Sequence, residues 1–139
     1  MASVESILLY GSEAWTLTAV QEARLDGCYT SMLRMVLNVT WRDRVRNEVL
    51  YGDLPRITTK IRKRRLRMAG HCVRHPELAA SNLVLWEPMQ GRASRGGQSL
   101  TFIDQLLRDT SLKTAADIRT CMEDRDVWRV IVARGDSTR

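Results

Sequence analysis

The residues from Arg56 to Arg74 combine many cationic side chains with an absence of acidic ones. The stretch reads RITTKIRKRRLRMAGHCVR and contains eight Lys or Arg residues and no Asp or Glu. Winding it as a helix at about 100° per residue gathers its basic residues on one arc roughly 100° wide. The members of this basic arc are Arg56, Lys60, Lys63, Arg64, Arg67, His71 and Arg74. A surface of this kind could bind the phosphates of a nucleic-acid backbone.

The other side of the same predicted helix is apolar and faces a core. Its members are Ile57, Ile61, Leu66, Met68, Ala69, Cys72 and Val73. No carboxylate lies four residues from any of the basic residues, so no i,i+4 ion pair neutralises the arc. Two interpretations remain, a solvent-exposed surface helix or a contact with nucleic acid. We expect the N-cap at Thr58 or Thr59, and a kink or a close helix–helix approach at Gly70.

Charge and composition of the whole chain agree with an anionic partner. The 139 residues carry a formal net charge of +6, and 44% of them are hydrophobic. A chain of this length predicts one domain, or one domain with a small appendage. The excess of Lys and Arg is informative about partners and says nothing about fold.

Three cysteines at wide spacing do not form a disulfide framework. We expect Cys28, Cys72 and Cys121 to be reduced thiols buried among apolar neighbours. The N-terminus, MASVESILLYGSEAW, is neither a signal peptide nor a membrane span. We therefore expect an intracellular protein, nuclear or cytoplasmic, with no membrane partner. KIRKRRLR is compatible with a nuclear localisation signal, although such basic runs are common.

One short motif resembles a metal site. His71-Cys72-x-x-His75 supplies three potential ligands, but a structural zinc needs four, and the other cysteines are more than forty residues away. In the alternative interpretation, Cys72 packs, His71 belongs to the basic arc and His75 ends the helix. We expect no metal and no cofactor. Glu123, Asp124 and Asp126 lie among arginines at a helix start, where capping and ion pairing account for them.

Residues for catalysis are not apparent in the sequence. The Ser and Thr residues occupy capping positions, and GRASRGG lacks the lysine and the preceding strand of a phosphate-binding loop. We therefore predict no enzymatic activity for this chain. Of the four tryptophans, Trp41 lies among charged residues and is the best candidate for stacking on a base. The others are expected to anchor the core.

Capping signals divide the first part of the chain into helices. Thr18 with Gln21 forms a capping box for a helix that runs to about Leu37. Its predicted apolar face consists of Leu25, Cys28, Tyr29, Met32, Met35 and Val36. Further predicted helices are Glu48–Tyr51, capped by Asn47, and Glu77–Trp86, with Pro76 at its first position.

Residues 89–98 form a predicted linker that carries Arg92 and Arg95 as auxiliary basic contacts. A helix capped by Ser99 should follow and run to about Asp109. Thr114 and Asp124 are expected to cap two more helices. The last helix has the core candidates Val127, Trp128, Ile131 and Val132. The period of two that is typical of strands is not sustained anywhere, so the fold class is all-α, an irregular multi-helix domain.

Several phrases occur together in one order: LLYGSEAWTLT, LRMVLNVTWRDRVRNEVLYGDLP, RRLRMAGHCVRHPE, LVLWEP, GRASRGGQSLTFIDQL and MEDRDVWRVIV. In this order and spacing the chain resembles the region that follows the polymerase palm in non-LTR (LINE-type) retrotransposon reverse transcriptases. The resemblance covers essentially the whole chain. It implies a thumb-like helical region at 1–88, the basic linker at 89–98 and a C-terminal helical extension at 99–139.

The resemblance implies that this region holds template RNA and primer DNA, or their hybrid, near a catalytic site. Polymerase activity in that family needs a palm with an aromatic-Ala-Asp-Asp motif, which does not occur in this sequence. The chain thus resembles a piece of such an enzyme and is not expected to polymerise by itself. The family's linker usually has arginines where this chain has Gly97 and Gln98, which weakens the case for strong binding there.

A second hypothesis is a structural or protein-interaction module whose basic helix docks onto an acidic surface. In a full-length polymerase the segment from Leu8 to Trp15 would pack on the palm. Without the palm, that segment would leave an apolar patch exposed and favour self-association.

Overall fold

The computed structural model describes residues 2–86 and 100–134. Within these two ranges every regular element is helical, which confirms the all-α prediction. The α-helices are α1 (Ala2–Leu8), α2 (Ala19–Val36), α3 (Asn47–Tyr51), α4 (Ile57–Arg74), α5 (Ser81–Val84), α6 (Phe102–Thr110), α7 (Ala115–Glu123) and α8 (Arg125–Ala133). Short 3₁₀ turns form at Ser12–Ala14 and Trp41–Asp43. No helix in the described ranges is long and apolar enough to cross a membrane.

Helix α4 is the element on which the rest of the fold packs. Its first half contributes Ile57 and Ile61 to a core with α2, α3 and the segment before α2. Its second half contributes Leu66, Ala69 and Cys72 to a second core with α5, α6, α7 and α8. One amphipathic helix therefore joins two apolar clusters, as its predicted apolar side requires.

Capping residues set most of the helix starts that the sequence indicated. Thr18 and Gln21 form the predicted capping box of α2. Thr114 Oγ1 accepts from the backbone N–H of Asp117 at the start of α7. Asp124 Oδ1 accepts from the N–H groups of Asp126 and Val127 at the start of α8. Each cap satisfies backbone donors that have no partner within the helix.

The predicted N-cap of α4 was wrong. The helix begins at Ile57, with Arg56 as N-cap and no side-chain cap of its own. Thr58 instead lies inside the first turn, where its N–H and hydroxyl both donate to Asp26 of α2, at 3.2 and 2.9 Å. The cap thus comes from a carboxylate on another helix, which no local pattern reveals.

Three further boundaries differ from the prediction. The segment 76–80 forms turns with i→i+3 hydrogen bonds, so the predicted helix Glu77–Trp86 reduces to α5. Helix α6 is capped by Thr101 with Asp104 in a capping box, and Ser99 is not its cap. Helix α3 begins one residue early, with Arg46 as its N-cap. The linker 89–98 lies outside the described residues, so the predicted division into units at that point stays a prediction.

Fewer residues of α2 are buried than its predicted apolar face suggested. Tyr29 and Leu33 are buried, whereas Met35, Val36 and Cys28 are exposed. Cys72 is buried as expected, and Cys121 is half-buried. On α8, Trp128 and Val132 are buried but Val127 is exposed. On both helices the buried residues are those that belong to the two cores around α4.

A buried polar network crosses the junction between the two cores. Arg65 of α4 is fully buried and forms an ion pair with Asp109 of α6. Its Nε donates to the carbonyl oxygen of Trp15 at 3.0 Å. Gln105, also fully buried, donates to Asp109 at 3.0 Å and accepts from the N–H of Leu17 at 3.0 Å. These bonds compensate the cost of burying the charges.

Candidate nucleic-acid interface

A groove between α4 and α8 collects basic side chains from two helices. It has a volume of about 450 Å³. Its lining residues are Lys63, Arg67, Arg74, Arg125, Trp128, Arg129, Val132 and Ala133. Five of these residues are basic and none is acidic. We call this the α4–α8 groove.

Helix periodicity places these residues at the groove. On α4, Lys63 and Arg67 are four residues apart and Arg74 follows two turns later, so all three lie on one side. On α8, Arg125 and Arg129 are also four residues apart and flank Trp128. The two helices therefore present two rows of positive charge over a floor that includes the buried Trp128 and Val132.

Gly70 allows the two helices to approach each other. Trp128 of α8 lies against Gly70, and its Nε1–H donates to the carbonyl oxygen of Leu66 at 2.9 Å. A Cβ on Gly70 would lie 2.5 Å from Trp128 Cδ1 and closer still to Nε1. Helix α4 runs unbroken from Ile57 to Arg74, so of the two expected effects of Gly70 the structure shows the close approach.

Arg74 and Arg129 each have a partner that leaves N–H donors available. Arg74 Nη1 donates to the carbonyl oxygen of Met122 at 2.8 Å, near the C-terminal end of α7. Arg129 pairs with Asp126 at 3.1 Å, and both side chains are mostly exposed. A guanidinium has five N–H donors, so one such bond does not exhaust either side chain. No ion pair within the described ranges involves Arg67 or Arg125.

The first half of the basic arc is arranged differently, because carboxylates from other elements face it. Asp26 of α2 lies 3.9 Å from Arg56. Glu5 of α1 lies 2.5 Å from Lys60, and Glu13 lies 3.5 Å from Arg64. The acidic partners that are absent from the sequence of α4 are thus supplied by tertiary packing. We call these three carboxylates the acidic cover.

The Glu5–Lys60 pair has the shortest distance of the three pairs and further contacts with Tyr29. Glu5 also accepts a hydrogen bond from Tyr29 Oη at 3.2 Å, and Lys60 Nζ lies 5.6 Å from the centroid of the Tyr29 ring. The hydrogen bond from Lys60 holds the pKa of Glu5 below its ordinary value. Burial opposes the charge of Lys60, but its bond to Glu5 and the proximity of Tyr29 raise its pKa overall. Burial in turn raises the pKa of Tyr29.

The histidines at the end of α4 interact with each other. The rings of His71 and His75 lie 4.3 Å apart between centroids, and His75 Nδ1 is 2.8 Å from Glu77. A backbone N–H and His75 both hydrogen-bond Glu77 and lower the pKa of its carboxyl. Across residues 2–86 and 100–134 there is no group of three or more His, Cys, Asp and Glu side chains that could hold a metal ion.

The structure divides the predicted site residues into groups. Lys63, Arg67 and Arg74 line the groove, whereas Arg56, Lys60 and Arg64 lie under the acidic cover. His71 is exposed beside His75. Arg92 and Arg95 lie outside the described residues. Whether any of them binds nucleic acid stays a prediction.

Sequence reasoning missed two groove residues, Arg125 and Arg129. It considered them only as ion-pair partners of nearby carboxylates. Their spacing of four residues around Trp128 was an available signal, but the helix that α8 faces could not be read from it. The contact with α4 depends on the space at Gly70, which is a tertiary feature.

Comparison with known proteins gives one similarity. The chain is 24% identical, over 140 residues, to an uncharacterized transposon-derived protein of Caenorhabditis elegans. The alignment covers 91% of this chain, which spans 50% of the length of that relative. No protein-family model matches the chain, and no solved structure matches it. The similarity supports a transposon origin for this chain.

Proposed function

We propose that the chain is a non-catalytic module that binds the backbone of RNA, DNA or an RNA–DNA hybrid without regard to sequence. The observation that supports this function best is the α4–α8 groove, in which five cations from two helices line one surface and none of the described lining residues is acidic. Arginine predominates there, and its planar guanidinium suits bidentate contacts with phosphate oxygens.

Only three basic residues of α4 line the groove, so fewer phosphates would contact this helix than the whole basic arc would allow. Five cations on two rows can neutralise about four phosphates, which gives a slope of log K against log salt between about −3 and −4. If the whole basic arc contacted five or six phosphates, the slope would be about −5. The acidic cover accounts for the difference, because Arg56, Lys60 and Arg64 already face carboxylates.

We further propose that the chain derives from the thumb and post-palm region of a non-LTR retrotransposon reverse transcriptase. The ordered set of sequence phrases supports this origin. The likeness to a transposon-derived protein along most of the chain agrees with it. In that setting the groove would hold template RNA and primer DNA, and a palm domain would be a further partner.

A second candidate function is a protein-interaction module. Ile7 of α1 is 78% exposed and Tyr10, two residues after that helix ends, is 84% exposed, and a protein could cover these side chains. Such a surface also favours self-association. Sizing before and after nuclease treatment separates the two functions, because an association that survives nuclease rests on protein contacts.

Charge reversal in the groove tests the main proposal. The double variant Arg67→Glu/Arg125→Glu should bind an RNA–DNA hybrid at least about tenfold more weakly in an anisotropy titration, with a shallower salt slope. The matched control is Arg24→Glu/Lys113→Glu, which changes net charge equally at two exposed residues outside the groove. Equal loss in both variants, or no binding by the unmodified chain at low salt, would rule out the groove as the site.

A further inference from the structure

A second surface, centred on Trp41, presents an aromatic side chain to solvent. Trp41 is 81% exposed, more than Trp86, whereas Trp128 is buried. Tryptophan is usually covered because burial of its large apolar ring is favourable. The exposed residues Met35, Leu37 and Val49 lie on the chain segments before and after it. The exposed indole is therefore a candidate site for a ligand that covers its aromatic face.

Residues 37–46 connect α2 to α3 and carry Trp41. Hydrogen bonds hold this connector in a defined conformation. Thr40 donates from its N–H and its hydroxyl to Asp43 Oδ2, both at 2.7 Å. The N–H of Arg44 bonds the carbonyl oxygen of Trp41 at 3.4 Å. Arg34 Nη2 reaches across from α2 to the carbonyl oxygen of Val45 at 2.7 Å. Trp41 therefore lies on a turn whose conformation is fixed by these hydrogen bonds.

The charges around Trp41 are mainly positive. Arg42, Arg44 and Arg46 are all exposed, and no ion pair within the described residues involves any of them. The connector's one carboxylate, Asp43, already accepts two bonds from Thr40. The guanidinium carbon of Arg42 lies 5.5 Å from the centroid of the Trp41 ring. An aromatic face and a stacked arginine are thus next to two further cations.

We infer that Trp41 is a stacking platform for an unpaired nucleobase, with Arg42, Arg44 and Arg46 contacting the flanking phosphates. A base offers a planar face that can stack on the exposed indole, and the adjoining phosphates complement the arginines. A duplex would not engage the indole in this way, because its bases are already stacked. This inference shares the ligand class of the proposed function but uses a surface outside the α4–α8 groove.

Fluorescence and affinity measured on a single strand test the inference. Oligo(dT) should quench the tryptophan emission of the full chain, and Trp41→Ala should lose most of that quenching. Trp41→Ala should also bind oligo(dT) about 5- to 100-fold more weakly while its affinity for a duplex stays within about twofold. The matched control is Trp86→Ala, which removes another exposed tryptophan and should change neither value.

The same titrations contain the outcomes that would overturn the inference. Equal losses for oligo(dT) and duplex, or unchanged affinity in Trp41→Ala, would exclude stacking. Quenching of Trp41 by poly-glutamate as strong as that by oligo(dT) would indicate an acidic protein surface instead. The groove variant Arg67→Glu/Arg125→Glu separates the two proposals, because it should keep the Trp41 quenching even where duplex binding fails.

Discussion

Trp128 on α8 donates its indole N–H to the carbonyl oxygen of Leu66 on α4, at a distance of 2.9 Å. A carbonyl oxygen has two lone pairs, so Leu66 can accept this bond besides a bond within its own helix. The contact fixes the last helix against α4 and brings Arg125 and Arg129 next to Arg67. The α4–α8 groove therefore depends on one buried tryptophan and the space that it occupies at Gly70.

Gly70→Ala should destabilise the protein even though alanine favours a helix. The added methyl group would overlap the Trp128 ring, and overpacking of this kind exceeds the gain of about 1 kcal/mol in helix propensity. We expect a net loss of about 1–2 kcal/mol in the free energy of unfolding, measured with denaturant. A variant as stable as the unmodified chain would contradict the packing described at Gly70.

Gly27→Ala is the matched control for that substitution. Gly27 lies in α2, and a Cβ built on it meets nothing within 4 Å. The same change should therefore stabilise the protein by up to about 1 kcal/mol, because only helix propensity changes.

Asp109→Asn should be among the most destabilising single substitutions on the chain. It would leave the Arg65 guanidinium buried, at 1% side-chain exposure, without its counter-charge. Breaking a buried pair in this way costs about 3–5 kcal/mol, which thermal or denaturant unfolding would detect. Asp126→Asn is the comparison, since it breaks the exposed pair with Arg129 and should cost less than about 1 kcal/mol.

Removal of two of the three carboxylates in the acidic cover should strengthen nucleic-acid binding. In Glu5→Gln/Glu13→Gln, Lys60 and Arg64 lose the carboxylates that face them and become available to phosphates. We expect tighter binding at low salt and a salt slope steeper by about 1.8 on duplex DNA, which corresponds to two further phosphates. An unchanged slope would show that this half of α4 does not contact the nucleic acid.

The Glu5–Lys60 pair should also make stability depend on pH at both extremes. The folded-state pKa of Glu5 is below its ordinary value of 4.5, so its contribution is present above that pH and is lost as the pH falls through the folded value. The raised pKa of Lys60 gives the opposite sign. Its contribution is complete below 10.5 and is lost as the pH rises through the folded value.

Unfolding of the unmodified chain and of Glu5→Gln as a function of pH measures this dependence. The stability difference between them should be constant near neutral pH, should amount to no more than about 1 kcal/mol, and should decrease towards both extremes. A difference that persists after Glu5 is protonated in the folded protein would mean that Glu5 stabilises α1 by something other than its charge.

The sequence by itself determined the helical fold, the span of α4 and three of the caps. These features depend on residues a few positions apart, such as Thr18 with Gln21 or Asp124 with Asp126 and Val127. It also indicated the two sides of α4, because helical periodicity separates basic from apolar residues whatever packs around them. Trp41 was likewise singled out from its charged neighbours, and it is exposed.

Only the tertiary structure decided which cations face solvent together. Glu5 and Lys60 are 55 residues apart in the chain, and Arg65 and Asp109 are 44 apart, so no local pattern joins either pair. Desolvation makes such long-range pairs necessary, because buried or half-buried charges must find partners wherever the fold brings them. The same packing covers the first half of α4 with carboxylates and brings α8 to its second half. A uniform basic arc in the sequence thereby becomes a covered half and a cationic groove.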